Sequence, residues 1–335
     1  MGDKNIVNMI FEYWKSVLNS NNRHLYEQMY NAFKAFKEEV PCPGFAIRDI
    51  SSVYEAVYND HPELFYLSYA PRIVQGLGFI GKTEKSIQTD YIFSKKEIKE
   101  YQESIDILIK TLETKIVRLD ENEKEKAICD YLVEHCVYEI NNKYNQNAAT
   151  VLLKNKGQCS GIAKANKLLL DHFNIESIYV SGEARDERSR TFGPHSWNIV
   201  KIKGKYYHLD VTSIIGCNCP PKKPYNYLYF NYSDDEIGES HRWNKAELPK
   251  CNYSYSNSTM KIINSLYELR ELLRCMDYTH IETITFKNKI PSADINSLMR
   301  NVLQTAMSAV KQKGIRAEIQ VKVVGDLITL VFNKK

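Results

Sequence analysis

The sequence predicts an α+β protein, and three observations indicate this class. In the first third of the chain, apolar residues from Val7 onward recur mainly with the helical period. In the middle, a helical stripe that begins near Cys159 is followed by strand-like segments with two-residue alternation. At the C-terminal end, helix and strand patterns mix again, which predicts a small α+β module.

Apolar spacing, proline and capping signals predict the elements of the first 140 residues. Pro41 and Pro62 each end a helical stretch, and Ser94 caps the long helix that follows. Gly76, Gly78 and Gly81 mark turns between two strands. The predicted elements are a helix over 6–17, a helical stretch continuing to 36, a helix over 49–59, strands over 64–69 and 86–93, and helices over 95–118 and 121–137.

In the second half of the chain, helix and strand patterns follow one another at shorter intervals. The best candidate linker is the polar tract 252–258. The predicted elements are a helix opening at 157–161, strands over 175–184, 195–202 and 205–212, a short helix after 233, a helix over 261–275, a strand over 281–287, a helix over 293–313, and strands over 316–323 and 327–333. Ser233 to Glu236 reads as a capping box, since the ligand alternation of a calcium loop is missing. Three regions follow: a mainly helical region with a few strands over 1–118, a catalytic core over 119–252 and the α+β module over 259–335.

Composition excludes several classes of function. The 335 residues have a net charge of +4, with 26% charged and 43% hydrophobic residues, which is ordinary for a globular protein. This charge is too small to favour nucleic acid or an acidic membrane as a partner. No segment approaches the roughly 20 apolar residues that span a bilayer, and no leader pattern opens the chain. Six of the eight cysteines are widely spaced, unlike a disulfide framework, so a cytoplasmic protein with mostly reduced thiols is expected.

Cys159 is the candidate nucleophile. It lies in the run Gly157-Gln-Cys-Ser-Gly161 at the start of a predicted helix, where free amide N–H groups and the helix dipole favour negative charge. A thiolate is the reactive form of cysteine, and the flanking glycines allow close approach of a substrate. We expect Gln158 to contact that substrate. A cysteine at a helix start is often inert, however, so this motif alone does not show that Cys159 is a nucleophile.

A predicted hairpin supplies the partners of this cysteine. Lys203-Gly204 can form a two-residue turn that pairs Ile202 with Lys205. This register places His195, Trp197 and Asp210 on one face, with Asp210 diagonal to His195 and within side-chain reach. A carboxylate at that position can hold the imidazole in one tautomer and stabilise its charged form. Trp197 is expected to exclude water and to line the substrate site.

Two alternatives concern other histidines and cysteines. His208 shares the same face and is a rival base, although a histidine packed in the strand under Tyr206 is the simpler interpretation. Cys217 and Cys219, with His241 and Cys251 downstream, could hold zinc, but C-x-C with distant partners is a poor match to tetrahedral sites. No metal and no other cofactor is therefore predicted.

The same residues carry a family resemblance. The runs Lys156-Gly-Gln-Cys-Ser-Gly-Ile-Ala163, His195-Ser-Trp-Asn-Ile-Val200 and Tyr206-Tyr-His-Leu-Asp-Val-Thr212 resemble the core of the transglutaminase-like superfamily, particularly its bacterial members. Asp60-His-Pro-Glu-Leu-Phe65 is similar to their N-terminal region, and Tyr229 to Asp235 with His241 is similar to their tail. The resemblance spans about residues 20–252.

The resemblance implies a papain-like fold in which Cys159 is the nucleophile, His195 the general base and Asp210 its orienting partner. The chain departs from many relatives after Asp210, where Ser213-Ile-Ile-Gly216 replaces tryptophan and acidic residues, so relatives' substrates are not carried over. The histidine follows the cysteine too closely for papain-type proteases and lies on the wrong side for caspases. Signatures of arylamine acetyltransferases and peptide N-glycanases are missing.

The sequence therefore predicts a thiol enzyme that acts on an amide of a protein or peptide. The acceptor could be water, as in a protease or deamidase, or an amine, as in a transglutaminase; hydrolysis is preferred because water needs no second binding site. The backbone N–H of Cys159 is one expected oxyanion donor, and a second is sought within 144–147. The rival hypotheses are an inactive fold that binds proteins and a metal-stabilised scaffold. Nothing in the sequence indicates the oligomeric state.

Overall fold

The computed structural model describes residues 10–77, 83–140, 146–186, 191–221, 225, 227–254, 262–275, 283–324 and 327–334. The chain divides into two compact units, residues 1–253 and 254–335. Both combine helices with strands, so the predicted α+β class is confirmed. None of the described helices is long and apolar enough to cross a membrane.

The first unit contains most of the helices and three separate sheets. Its helices are α1 (Tyr13–Val17), α2 (Ser20–Lys34), α3 (Ile47–Asp60), α4 (Lys95–Ile116), α5 (Glu121–His135), α6 (Ala148–Lys154), α7 (Cys159–His172), α8 (Val211–Cys217) and α9 (Asp234–Ile237). Its strands are β1 (Glu39–Pro41), β2 (Arg72–Leu77), β3 (Thr83–Gln88), β4 (Val137–Tyr138), β5 (Lys156–Gly157), β6 (Ser177–Arg185), β7 (Phe192–Ile202), β8 (Lys205–Leu209) and β9 (His241–Arg242).

The main sheet of this unit has the order β8-β7-β6-β9 and is antiparallel throughout. One face packs on α7, where Asn198 of β7 donates a hydrogen bond to the Ala163 carbonyl at 3.1 Å. The other face is covered by a smaller cluster that includes Trp197, Ile237 and Cys251. A larger cluster of buried apolar residues has members between Leu25 and Phe230, and helices α2 to α7 all contribute to it.

The second unit is described by itself. Its elements are β10 (Ile262–Ile263), α10 (Leu266–Cys275), β11 (Thr283–Asn288), α11 (Ile295–Gln312), β12 (Ala317–Val324) and β13 (Leu327–Lys334). The strands form one sheet in the order β10-β11-β13-β12, and it has a separate apolar core that includes Phe286 and Val302. Most of the predicted linker, residues 255–258, lies outside the described residues.

Several predicted boundaries differ from the structure. Residues 64–66 form turns and not a strand, because their buried side chains fill the core from a loop whose N–H groups bond back along the chain, as Leu64 does to His61. Strand β2 was not predicted. The predicted strand over 205–212 ends at Leu209, since the Asp210 side chain accepts a hydrogen bond from the Ser213 N–H and starts α8. The first predicted helix is helical only from Tyr13 among its described residues.

Glu125 on α5 is fully buried, and its environment predicts a pH-dependent stability. Asn231 donates to its Oε2 at 2.8 Å, while Oε1 has no partner within the described part of the chain. Burial, against the hydrogen bond from Asn231, raises the pKa of Glu125 from 4.5 to about 8. The folded protein therefore holds a proton that the unfolded chain releases above pH 4.5, so this residue lowers the free energy of unfolding as pH rises towards 8.

We therefore expect Glu125→Gln to stabilise the protein by about 3 kcal/mol at pH 7 and to have little effect near pH 4.5. A glutamine fills the same space and needs no proton. Urea unfolding of the wild type and the variant at both pH values measures the difference, with the exposed Glu100→Gln as the control. A variant that is equally or less stable than the wild type at pH 7 would show that the buried carboxyl of Glu125 does not lower the free energy of unfolding.

Candidate active site

Cys159 is the first residue of α7, directly after the short strand β5. Its side chain is half-buried, whereas Cys42, Cys129, Cys136 and Cys251 are buried. The N–H groups of the first turn have no intrahelical acceptor, so the start of the helix favours negative charge on the sulfur. The Gln158 carbonyl already accepts the first helical bond, from the Ile162 N–H at 2.9 Å, which fixes the chain entering the helix.

The hairpin brings His195 to Asp210. The turn residues Lys203 and Gly204 both have positive φ, and Ile202 pairs with Lys205, which is the predicted register. The His195 Nε2 lies 2.9 Å from Asp210 Oδ2. A carboxylate only accepts hydrogen bonds, so Nε2 carries the hydrogen and Nδ1 is the remaining nitrogen. The Cys159 side chain lies near enough to raise the pKa of His195 through a hydrogen bond and its charge, and Nδ1 is the imidazole nitrogen left to face it.

The opposite charges of His195 and Asp210 stabilise each other. Burial by itself lowers the pKa of His195, but the charge and hydrogen bond of Asp210, with a further contribution from Cys159, outweigh it and raise the pKa to about 10. Burial by itself raises the pKa of Asp210, but the charge of His195 and the hydrogen bonds from His195 and His241 hold it far below its ordinary range. The site therefore holds a protonated imidazole against an ionised carboxylate at neutral pH.

Asp210 has two further partners that were not predicted from the sequence. His241 on β9 donates from Nε2 to Asp210 Oδ2 at 3.1 Å, and Ser213 binds the carboxylate through both its N–H and its hydroxyl. His241 is 3% exposed, and its Nδ1 lies 2.8 Å from Ser240 Oγ. The sequence analysis considered His241 only as a possible zinc ligand, and Ser213 only as part of a departure from the family pattern.

Trp197 lies behind His195 and is not open to a substrate. The tryptophan is 1% exposed, and its ring is nearly parallel to the imidazole of His195, with centroids 6.0 Å apart. Its Nε1 donates to His208 Nδ1 at 3.0 Å. A Cβ at residue 182 would lie 2.7 Å from the Trp197 ring and 2.3 Å from the Arg242 carbonyl, which explains the glycine opposite His195. The predicted substrate-binding role of Trp197 is corrected to packing that supports His195.

Gln158 lies beside the nucleophile with its side chain engaged. Its Nε2 donates to the Ile140 carbonyl, and its Oε1 accepts from Gln146 at 3.1 Å. Residues 141–145 are outside the described part of the chain, so two of the predicted second oxyanion donors, Tyr144 and Asn145, are too. Asn147 caps α6 by accepting from the Thr150 N–H at 2.9 Å. The role of Gln158 towards a substrate stays a prediction.

His208 is not arranged as a base for Cys159. Because Nδ1 accepts from Trp197, Nε2 carries the hydrogen and donates to Asp234 Oδ1 at 2.9 Å. The imidazole is fully buried and packs against Trp243, with ring centroids 4.7 Å apart, and burial lowers its pKa. His208 thus belongs to a structural network behind the site, and its neighbours are Trp197, Trp243 and Asp234.

Two clusters bring possible metal ligands within 4.8 Å of one another in the described part of the chain: His195, Asp210 and His241, and His208, Asp234 and Cys251. The second cluster fits a metal poorly. A metal bound to His208 Nε2 would require the imidazole hydrogen to lie on Nδ1, and the Trp197 N–H already points at that nitrogen. In the first, a metal would replace both N–H bonds to Asp210, so a metal site and the hydrogen-bonded triad exclude one another. Neither cluster contains Cys217 or Cys219 of the zinc hypothesis.

Residues 110–211 match the family model of the transglutaminase-like superfamily, a range that includes Cys159, His195 and Asp210. The chain carries a transglutaminase-like domain. The predicted resemblance is confirmed over these residues. A search of curated protein sequences returns no match.

The solved structures that this chain resembles are distant from it. A candidate cysteine protease from Cytophaga hutchinsonii is 14% identical, with a TM-score of 0.28, and the match covers 44% of this chain and 63% of that one. A structure described as a TGase is 15% identical, with a TM-score of 0.30, covering 59% and 53%. A candidate protease from Parabacteroides distasonis is 10% identical, with a TM-score of 0.25, covering 79% and 62%. The chain thus spans 53–63% of the length of these structures, and likenesses this low carry no argument about activity.

Proposed function

We propose that the protein is a thiol enzyme that cleaves or transfers an acyl group from an amide of a protein or peptide. The observation that carries the proposal is the chain of contacts from Cys159 through His195 to the buried Asp210. A nucleophile, a base and a group that orients the base are the parts that covalent acyl transfer requires. The family match over residues 110–211 supports a cysteine-enzyme fold.

The reaction follows from the proton positions. With the Cys159 proton already held on His195 Nδ1, the sulfur attacks the amide carbonyl to form a tetrahedral oxyanion, with the Cys159 N–H as one donor to that oxygen. The C–N bond then breaks, and His195 gives its proton to the leaving amine. Water or a second amine attacks the resulting thioester, His195 removes its proton, and the thiol is regenerated. Hydrolysis is the preferred outcome because water needs no second binding site.

The test uses the reactivity of the cysteines, which requires no known substrate. We expect Cys159 to be alkylated by iodoacetamide faster than Cys219, and to remain reactive well below pH 8, because a thiolate paired with imidazolium persists where ordinary thiols are protonated. Mass spectrometry assigns the rate to each cysteine between pH 5 and 9. Cys219 is exposed and serves as an internal control in the same molecule.

The variant His195→Ala separates the two hypotheses. If His195 activates the sulfur, this variant should reduce the reactivity of Cys159 to that of Cys219, and Cys159→Ala should abolish turnover of peptides that the wild type cleaves while the fold is retained. If the rate at Cys159 is instead unchanged without His195, the protein is an inactive fold that binds other proteins. Retained turnover by Cys159→Ala would reject Cys159 as nucleophile.

A further inference from the structure

The Asp210 carboxylate is shared by two histidines from different strands. Oδ2 accepts from His195 Nε2 at 2.9 Å and from His241 Nε2 at 3.1 Å. The two imidazole rings approach edge to face, with centroids 5.4 Å apart. Cys159 acts on His195, whereas His241 is 3% exposed. Two imidazole donors therefore share one oxygen, which also accepts from the Ser213 hydroxyl.

His241 is held in the orientation that makes it a donor. Its ring packs against Trp197 at 5.0 Å and Tyr229 at 5.7 Å between centroids, and Ser240 Oγ occupies the Nδ1 position at 2.8 Å. A carboxylate cannot donate, so Nε2 carries the hydrogen, and Nδ1 faces the Ser240 hydroxyl. Strand β9 places the residue there by pairing with the edge strand β6, Ala184 opposite His241.

Asp210 does not depend on His241 for its position. The Ser213 N–H donates to Oδ1 at 3.1 Å and the Ser213 hydroxyl donates to Oδ2, so the carboxylate is fixed at the start of α8. Removal of His241 would consequently leave the carboxylate in place with one donor fewer. Its negative charge would then be concentrated on the bond to His195.

We propose that His241 is a positioning residue that acts on the reaction through Asp210: by sharing Oδ2, it limits how strongly this carboxylate stabilises the imidazolium form of His195. The inference rests on the proposed function. A general acid must release its proton to the leaving amine, and an imidazolium bound too tightly by its carboxylate does this poorly. His241 thus tunes His195 towards proton release, a role distinct from the orientation that Asp210 itself supplies.

The surrounding groups that titrate lie on several elements and remain the same in the variants used below. The groups that interact electrostatically with the His195–Asp210 pair are Cys159 on α7, Tyr138 on β4 and Cys129 on α5. The groups next to His241 itself are His208 on β8 and the Tyr229 ring.

The experiment measures the protonation of His195 directly. The full chain, labelled with ¹⁵N-histidine, is titrated by NMR as wild type, His241→Phe and His241→Gln. In His241→Phe we expect the midpoint for loss of the His195 proton to rise by about half to one pH unit, since Asp210 then serves a single imidazole. His241→Gln, whose amide nitrogen can donate to Oδ2, should restore the wild-type midpoint. His172→Gln, which removes a histidine paired with Glu113 outside the site, is the control.

A midpoint that is unchanged or lower in His241→Phe would overturn the proposal. The wild type alone gives a second test in case this variant does not fold: the ¹⁵N shifts must show His241 protonated at Nε2 and not at Nδ1, and the reverse tautomer overturns the donor role. The basic limb of Cys159 alkylation by iodoacetate, an anion attracted by imidazolium, should move with the NMR midpoint. If His195→Ala leaves Cys159 reactivity unchanged, the proposed function fails, whatever His241 does.

Discussion

Asp210→Asn is expected to reduce turnover by about 10³- to 10⁴-fold and alkylation of Cys159 at pH 7 by at least about tenfold. In the wild type, the carboxylate receives the His195 Nε2–H, so Nδ1 is the nitrogen that holds the thiol proton. An asparagine retains one oxygen, which the Ser213 N–H already binds at 3.1 Å on the Oδ1 side. The amide NH₂ would then face His195.

A donor facing Nε2 inverts the tautomer of His195. The imidazole would place its lone pair on Nε2 and its hydrogen on Nδ1, which then points at Cys159 and cannot accept its proton. The thiol would lose its base, and the imidazolium would lose the charge that raises its pKa to about 10. An unassisted thiol is only a few per cent ionised at neutral pH, which sets the expected loss in alkylation.

The control for this variant is Asp234→Asn. Asp234 is a carboxylate that also binds a histidine of the same hairpin, His208, at 2.9 Å, but it does not contact Asp210 or Cys159. We expect this variant to lose stability and to keep the reactivity of Cys159. Equal alkylation rates for Asp210→Asn and the wild type, with the fold verified by thermal unfolding, would show that Asp210 does not set the tautomer of His195.

Lys167→Ala is expected to destabilise the protein by about 3–5 kcal/mol, because it breaks a fully buried ion pair on the nucleophile helix. Lys167 Nζ donates to Asp171 Oδ2 at 2.8 Å, the Ser177 carbonyl at 2.8 Å and the Phe11 carbonyl at 3.0 Å, so all three of its hydrogens are used. The side chains of Lys167 and Asp171 are 0% and 5% exposed. Truncation would remove this donor from Asp171 Oδ2 and from both carbonyls in the interior, and would leave Asp171 with the Ser177 hydroxyl as its hydrogen-bond donor.

The sign of the pH dependence follows from Asp171. Burial, against the charge of Lys167, raises the pKa of Asp171 from 3.8 to about 7. Without Lys167 the folded pKa rises further, so the folded variant keeps a proton that the unfolded chain has released. The cost of Lys167→Ala should therefore be larger at pH 8 than at pH 5, as measured by urea unfolding.

Two comparisons test this explanation. Lys96→Ala removes an exposed pair of the same helical spacing, Lys96 with Glu100, and should change stability by less than about 0.5 kcal/mol. The double variant Lys167→Met with Asp171→Leu removes both charges and should recover most of the loss. A cost for Lys167→Ala as small as that for Lys96→Ala would mean that Asp171 needs no cation, contrary to the geometry.

Local sequence patterns predicted the hairpin and the contact between His195 and Asp210. Two-residue alternation assigns His195 and Asp210 to one face, and a glycine with positive φ at residue 204 completes the tight turn that sets the register. The start of α7 at Cys159 could also be predicted, since a helical stripe begins there. These features depend on residues close in the chain, so their physical causes are readable from the sequence.

The residues that pack behind His195 and Asp210 could not be predicted in the same way. His241 reaches Asp210 because β9 pairs with the edge of the main sheet, and Trp197 is buried because a distant segment with Ile237 and Leu248 covers that face. A period-two pattern shows which residues share a face but not whether that face is open to solvent. Trp197 was for this reason predicted to bind substrate.

The sequence by itself determined the α+β class, the family resemblance, the nucleophile helix and the register that brings His195 to Asp210. Tertiary structure alone decided that Asp210 binds a second histidine, that Ser213 ends the strand and anchors the carboxylate, and that His208 points away from the thiol. The physical reason is that hydrogen-bond partners of buried polar groups are set by long-range packing, whereas turns, caps and strand faces are set by neighbours in the chain.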